Sequence, residues 1–401
     1  MENYLEVKGF CIFMALLAVL TIHSGNAGAN EGPPFKQGEV VVAGAPGPYL
    51  AGLPVAKYLP HADLTVIRVE KGKEFGMVQR FLRQGRRASL NYIAHASFVP
   101  DDQYYNPMQW NFNAVQSQEA WDLSTGSGII VAVLDTGLTA GGPDGINCTV
   151  SPNDIVNADQ VPEDGEGHGT HVAGTISQTT DNGLGVAGLA YNACIMPVKV
   201  LDDSGSGTFA DISDGIYWAV NQGAHVINMS LGTNARYGFR NDLIMDAALD
   251  YAYDSGVTVV CAAGNDGSRK NVSYPAIYPT TIAVGATDYQ NSVTRYSNKG
   301  EGLDIVAPGG DISKDLNGDG YGDGILQETY INGWNYYFFQ GTSMASPHVA
   351  AAGAILLADN PDLSPSDIYS ALTTTALDPV SYTHLRAHET VLDLVCRLLL
   401  E

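Results

Sequence analysis

Gly341-Thr342-Ser343-Met344-Ala345-Ser346-Pro347-His348, with the run Ala350–Ala358 behind it, sets the reading of this chain. Nearly every residue from 350 to 358 is Ala, Ile or Leu, which predicts a helix buried on every side. Pro347 is tolerated in a first turn but not in a helix interior, so the helix starts close to Ser343. A hydroxyl there meets free backbone N–H groups and the positive end of the helix dipole, which favour developing negative charge. A serine that merely caps the helix would stand in the same place. A catalytic role for Ser343 therefore requires a base and an orienting acid elsewhere.

Outward from that helix, strand-like and helix-like runs alternate from residue 121 onward. Strands are expected over 129–134, 195–201, 225–229, 257–262 and 281–285, and helices from Gly167, over 209–222 and over 242–255. Apolar strands separated by helices predict an α/β three-layer sandwich with a mostly parallel central sheet. Ligands of such sheets lie beyond the carboxyl ends of the strands, where Asp135 and Asn265 fall. Before this body, strands at 39–43, 64–70 and 90–94 with a helix over 74–82 predict a small α+β unit. Residues 95–120 read as extended or irregular.

Charge divides along the same line. Residues 28–97 carry nine Lys/Arg against five Asp/Glu, a net of +4, and residues 98–380 carry eight against thirty-three, a net of −25. A basic piece before an acidic body suggests matched partners. The acidic body argues against nucleic acid and leaves room for bound cations. The apolar stretch from Phe10 to Ile22 with Gly25-Asn26-Ala27 behind it reads as a secretory signal, residues 1–29, with an uncleaved anchor as the other reading. Of five cysteines, Cys148 and Cys194 can pair in an oxidising compartment, while Cys261 reads as a buried thiol.

Asp135, His168, Asn265 and Ser343 are each ordinary alone; together they fit one chemistry. A serine hydroxyl needs a neutral imidazole to take its proton. That imidazole needs a carboxylate on its other nitrogen. The resulting oxyanion needs preorganised donors, which Asn265 and the Ser343 N–H can supply. His168 and His171 lack the intervening Glu of a zinc-binding helix, so no catalytic metal is expected.

Asp135-Thr136-Gly137, His168-Gly169-Thr170-His171-Val172-Ala173-Gly174, Ala263-Gly264-Asn265 and the block 341–348 resemble the signature blocks of subtilisin-like serine proteases, thermitase-like branch, over about 100–378. The resemblance implies a serine endopeptidase with a cleft for extended peptides. Gly205-Ser206-Gly207 and Ser230-Leu231-Gly232 would pair with the substrate backbone. Met229, Ala262 and Ser273-Tyr274-Pro275 would line the first specificity pocket, and Phe209 and Ile212 would lie near the fourth. None of these is charged, so large apolar or neutral side chains are favoured before the scissile bond. The resemblance also makes residues 30–97 a pro-region that assists folding and inhibits the mature enzyme, released by self-cleavage within 92–101, and residues 98–380 the catalytic domain of a monomer secreted to the extracellular space or the periplasm.

Three places invite structural calcium. The first, implied by the resemblance, uses Thr179, Asn182, Leu184 and Val186 with Asp102 and Asp144. The second, also implied by it, is Asp154, Asn157, Asp159, Val161 and Glu163, with Asn157 where an acid is usual. The third, Asp315, Asn317, Asp319 and Asp323, opens like an EF-hand loop but has Leu326 at its twelfth position. Asn147, Asn228 and Asn271 begin N-x-Ser/Thr sequons. Residues 381–401 show neither the Gly/Tyr-rich strand nor the last helix of the family and read as an unrelated peptide, read-through or an assembly artefact. Two other functions remain to be separated from the protease: a non-catalytic peptide-binding protein on the same fold, and an esterase. Against the first stands the intact Asp, His, Ser set. Against the second stand the chain order of that set and the absence of a G-x-S-x-G elbow.

Overall fold

A computed structural model of the chain describes residues 35–93 and 98–376. The expected signal segment, positions 94–97 of the expected cleavage region and the tail after 376 lie outside these residues. The chain divides into two compact units between Tyr92 and Ile93.

The first unit contains β1 (Phe35–Ala43), β2 (Val55–Leu59), β3 (Leu64–Arg68), α1 (Glu74–Arg83) and β4 (Ala88–Tyr92). Its antiparallel sheet runs β2-β3-β1-β4. Its core is small: Val40, Val42, Leu50, Ile67 and Phe81. β2 was not expected from the sequence. It is an edge strand with no fully buried position, so it carries a weak apolar signal.

The second unit opens with three short helical turns, α2 (Tyr105–Met108), α3 (Trp110–Ala114) and α4 (Ser117–Trp121), where irregular chain was expected. Each is too short to show a helical period; packing of Tyr105, Phe112 and Trp121 holds them. There follow β5 (Ile130–Asp135), β6 (Asn153–Asp154), α5 (His168–Ser177), β7 (Cys194–Lys199), α6 (Phe209–Asn221), β8 (Val226–Met229), α7 (Leu243–Asp254), β9 (Thr258–Ala262), β10 (Thr281–Thr287), β11 (Ile305–Pro308), β12 (Ile325–Tyr330), β13 (Trp334–Phe339), α8 (Thr342–Asp359) and α9 (Pro365–Thr375).

Seven strands form one parallel sheet, ordered β11-β10-β9-β8-β5-β7-β6. Alternation along each strand feeds two cores. Val131 and Val133 of β5 face the α5/α8 side, and Ala132 and Leu134 face the α6/α7 side. The layers are therefore helices, sheet, helices, as expected. α8 is buried at Thr342 and from Met344 to Leu357, so the stretch read first is the centre of one core. Cys148 and Cys194 form a disulfide, and Cys261 is a free buried thiol. Among the described residues no helix is long and apolar enough to cross a membrane.

Candidate active site

Asp135 ends β5 and is fully buried. His168 opens α5 from a different crossover, and its Nδ1 lies 2.7 Å from Asp135 Oδ1. The glycines between them permit this approach: a Cβ on Gly169 would run into the backbone of Gly137. A second carboxylate builds the turn. Asp164, also buried, accepts from the Thr136 hydroxyl at 2.8 Å, the Gly167 N–H at 2.7 Å, and the Thr170 N–H and hydroxyl at 2.8 and 2.7 Å. It satisfies the Gly167 and Thr170 N–H groups at the head of α5, while Glu166 and Thr136 accept those of His168 and Gly169, which together fix where the helix starts. Sequence reasoning missed Asp164; its only signal was an acid four residues before a helix-opening His.

The imidazole is pulled in opposite directions. Burial lowers its pKa, while the charge and hydrogen bond of Asp135, aided by Glu166 and Asp164, raise it; the net position is above the ordinary 6.5. His171, one turn on, plays a different part. It is fully buried, its Nε2 lies 3.1 Å from the carbonyls of both Ile325 and Tyr337, and its ring stacks on Phe339. Burial pushes its pKa down to about 3, so it stays neutral and structural.

Ser343 is the second residue of α8. Its hydroxyl donates to the Ser230 carbonyl at 3.2 Å, and the Ser230 hydroxyl donates back to the Ser343 carbonyl at 2.8 Å. Asn228, Ser230 and Ser346 form a buried chain that ties the end of β8 to the head of α8. Asn228 is fully buried, so its sequon is closed to glycosylation. Among the described residues no hydrogen bond joins His168 to Ser343. Both line the same cleft of about 540 Å³.

Asn265 follows β9. Its side-chain oxygen accepts from the Thr342 N–H at 2.9 Å and the Thr342 hydroxyl at 3.0 Å, which fixes the amide and leaves Nδ2 without a partner among the described residues. Thr342, whose hydroxyl also accepts from the Gly264 N–H at 3.1 Å, orients Asn265, a role not read from the sequence. Gly264 itself has φ +96°, and a Cβ there would collide with the Ser273 hydroxyl.

Gly205, Ser206, Gly207, Ser230, Leu231, Gly232, Ala262, Phe209 and Ile212 all line the cleft with His168, Asn265 and Ser343. Ser273 and Pro275 line it too. Met229 and Tyr274, expected in the first pocket, are instead buried in the core on the α6/α7 side and do not line it. Strand alternation turns Met229 to the opposite side from its neighbour.

The three calcium candidates differ in how well their oxygens are satisfied. In the first, Asp102 and Asp144 are buried, and burial raises both carboxyl pKa values, that of Asp144 to about 6. Asp102 Oδ1 is a buried oxygen with no partner among the described residues. Asn182 and the Val186 N–H turn toward Asp144, at 2.9 and 2.8 Å. Both Asp144 oxygens are thus taken, and the feature that fits a cation is the unpartnered Asp102 oxygen beside that second buried acid. In the second, both Asp154 oxygens are taken by Asn157, at 2.7 and 2.8 Å, and Asp159 accepts from the Val161 N–H at 2.8 Å. The amide at 157 does a cation's work there, which makes this the poorest fit. In the third, Asp315 and Asp319 accept loop N–H groups, while Asp323 Oδ1 is buried without a partner among the described residues and burial raises the Asp323 pKa. Among the described residues no three His, Cys, Asp or Glu side chains already converge as a metal site. Each candidate would therefore have to draw in further oxygens, carbonyls included, to bind a cation.

A profile of the subtilase family matches residues 126–392, reaching into the segment after 380 that was expected to be unrelated. Thermitase of Thermoactinomyces vulgaris is 38% identical over 286 residues, 71% of this chain and 94% of its own length. The thermophilic serine proteinase of Bacillus sp. (strain AK1) is 40% identical over 270 residues, 67% of this chain and 62% of that longer protein. Among solved structures, a protease of Pseudoalteromonas arctica superposes with a TM-score of 0.66 at 31% identity, covering 75% of this chain and 99% of that one. A match over two thirds of the sequence, on the fold built above, means that the chain belongs to the subtilase family of serine endopeptidases.

Proposed function

We propose that this chain is a secreted, calcium-stabilised serine endopeptidase that works through Asp135, His168 and Ser343 and is made as a self-processing zymogen. What carries the proposal is the 2.7 Å Asp135–His168 hydrogen bond beside a cleft that Ser343 and Asn265 also line. His168 Nε2 takes the Ser343 proton as Oγ attacks the scissile carbonyl carbon. Asp135 holds the tautomer and stabilises the imidazolium. Asn265 Nδ2 and the Ser343 N–H, both without partners among the described residues, receive the oxyanion. The imidazolium then protonates the leaving amine, and water repeats the sequence to release the acyl group. Calcium, held by Asp102, Asp144, Asn182 and carbonyls of Thr179, Leu184 and Val186, and by the Asp315–Asp323 loop, would compensate buried negative charge.

Residues 30–97, basic where the body is acidic, would serve as the intramolecular inhibitor until self-cleavage. Expression of wild type and Ser343→Ala in calcium tests the whole reading. Wild type should release the N-terminal fragment, cleave casein and take up an organophosphonate at Ser343. The variant should stay full length and do none of these. Equal processing and casein cleavage by both would refute it.

A further inference from the structure

The residues lining the cleft include two carboxylates, Glu166 and Asp266, and among them there is no Lys or Arg. The two acids are not equivalent. Both oxygens of Asp266 accept hydrogen bonds from Asn234, the Ala235 N–H and Asn298, so its charge is spent on the loop. Glu166 is exposed and forms none of the ion pairs found among the described residues. Its Oε2 accepts the His168 N–H at 2.8 Å, which holds the carboxylate beside the imidazole, while Oε1 has no partner among the described residues. The nearest cation by chain, Lys199, is buried and engaged with the Thr136 carbonyl and Asp203.

From this we infer that Glu166 is a specificity-determining residue that selects a cationic side chain, Lys or Arg, at a substrate position flanking the scissile bond. This goes beyond the neutral first pocket and rests on the protease reading above. A peptide laid along the cleft passes the imidazole, and a side chain there meets an anchored carboxylate whose partial desolvation by the substrate strengthens the pairing. Since the same carboxylate helps hold the His168 pKa up, a bound cation next to Glu166 also weakens that influence.

The test uses enzyme expressed as the full chain and left to process itself, with fluorogenic peptides that carry Phe for the first pocket. Lys, norleucine or Glu is placed in turn at each of the two positions before and after the cleaved bond. At one position kcat/KM should favour Lys over norleucine by about fivefold and disfavour Glu. The Lys/norleucine ratio should shrink between 20 mM and 1 M salt. Glu166→Gln keeps an acceptor for the His168 N–H and should bring the ratio to about one, and Glu166→Lys should reverse it in favour of Glu. Using the ratio within each enzyme cancels any general effect on His168. Ratios near one in wild type at every position, or a Lys preference that survives in Glu166→Gln, would overturn the inference and leave the protease standing. No hydrolysis of any peptide would remove both.

Discussion

His168 sits between burial, which favours its neutral form, and three carboxylates, which favour its charged form, and the carboxylates win. With the folded-state pKa raised above 6.5, the neutral imidazole that a general base requires is populated only as pH rises through that higher value. The acid limb of kcat/KM is therefore expected above 6.5, with activity greatest on the alkaline side. In Asp135→Asn the largest raising influence is gone and burial remains, so the limb should move down. Turnover should fall on the order of 10⁴, much as subtilisin itself loses on removal of its triad Asp. A pH–rate profile of both proteins checks this. A limb that stayed in place in the variant would mean that Asp135 does not set the imidazole's charge.

Single elements place these residues, and the head of α8 does the most. Its first residue, Thr342, clamps Asn265 through both N–H and hydroxyl, and its second is Ser343, the proposed nucleophile. Thr342→Val keeps the shape and the N–H but removes the hydroxyl, so the Asn265 amide can swing. The expected cost is about tenfold in kcat with KM little changed, less than the 10²–10³ for losing the Asn outright, a figure that comes from subtilisin. Steady-state kinetics at saturating peptide would read it, and an unchanged kcat would mean the amide is held some other way. α8 was legible because Ala350–Ala358 admits one interpretation, and β5 because an apolar run ends in Asp-Thr-Gly; Pro347 does not sit in the first turn as expected but inside α8, where the Ser343 carbonyl that its missing N–H leaves open accepts the Ser230 hydroxyl instead. The β12–β13 hairpin was not read, although Asn332-Gly333 at its turn is a recognised hairpin signal. Aromatic Trp334–Phe339 on a half-exposed strand shows little alternation, and the acidic loop before it drew the reading toward metal instead. That hairpin matters to the site: Thr329 donates to the Gly167 carbonyl at 2.5 Å, and the Ile325 and Tyr337 carbonyls hold His171, so two strands buttress the helix that carries His168. Asp164 and Thr342 escaped notice for a related reason. Thr342 reaches Asn265 across 77 positions and Asp164 reaches Thr136 across 28, and such bonds leave no local pattern; the local bonds of Asp164 to Gly167 and Thr170 left only an acid ahead of a helix.

At the scale of the whole molecule, a net charge of −23 opposes compaction. Much of it lies on the surface, where salt screens it, but Asp102, Asp144 and Asp323 are buried, and one oxygen each of Asp102 and Asp323 has no partner among the described residues. Ionised without a cation, these acids cost stability; a bound divalent ion reverses the sign by favouring the ionised form. A ligand at about a hundred times its dissociation constant adds about 2.7 kcal/mol, which for a body of this size shifts Tm on the order of 5 °C. Calcium should thus raise Tm and chelator lower it. Asp102→Asn should lose a larger part of the calcium response than Asp323→Asn, because two buried acids and an orphaned oxygen meet at the first site, while Asp315 and Asp319 of the third loop are exposed and already accept loop N–H groups. Asp154→Asn should leave the response nearly whole, since Asn157 already occupies that carboxylate. Calorimetry of the four proteins with calcium and with chelator decides among the sites: a calcium response abolished by Asp154→Asn and untouched by Asp102→Asn would invert the order argued from the unpaired oxygens.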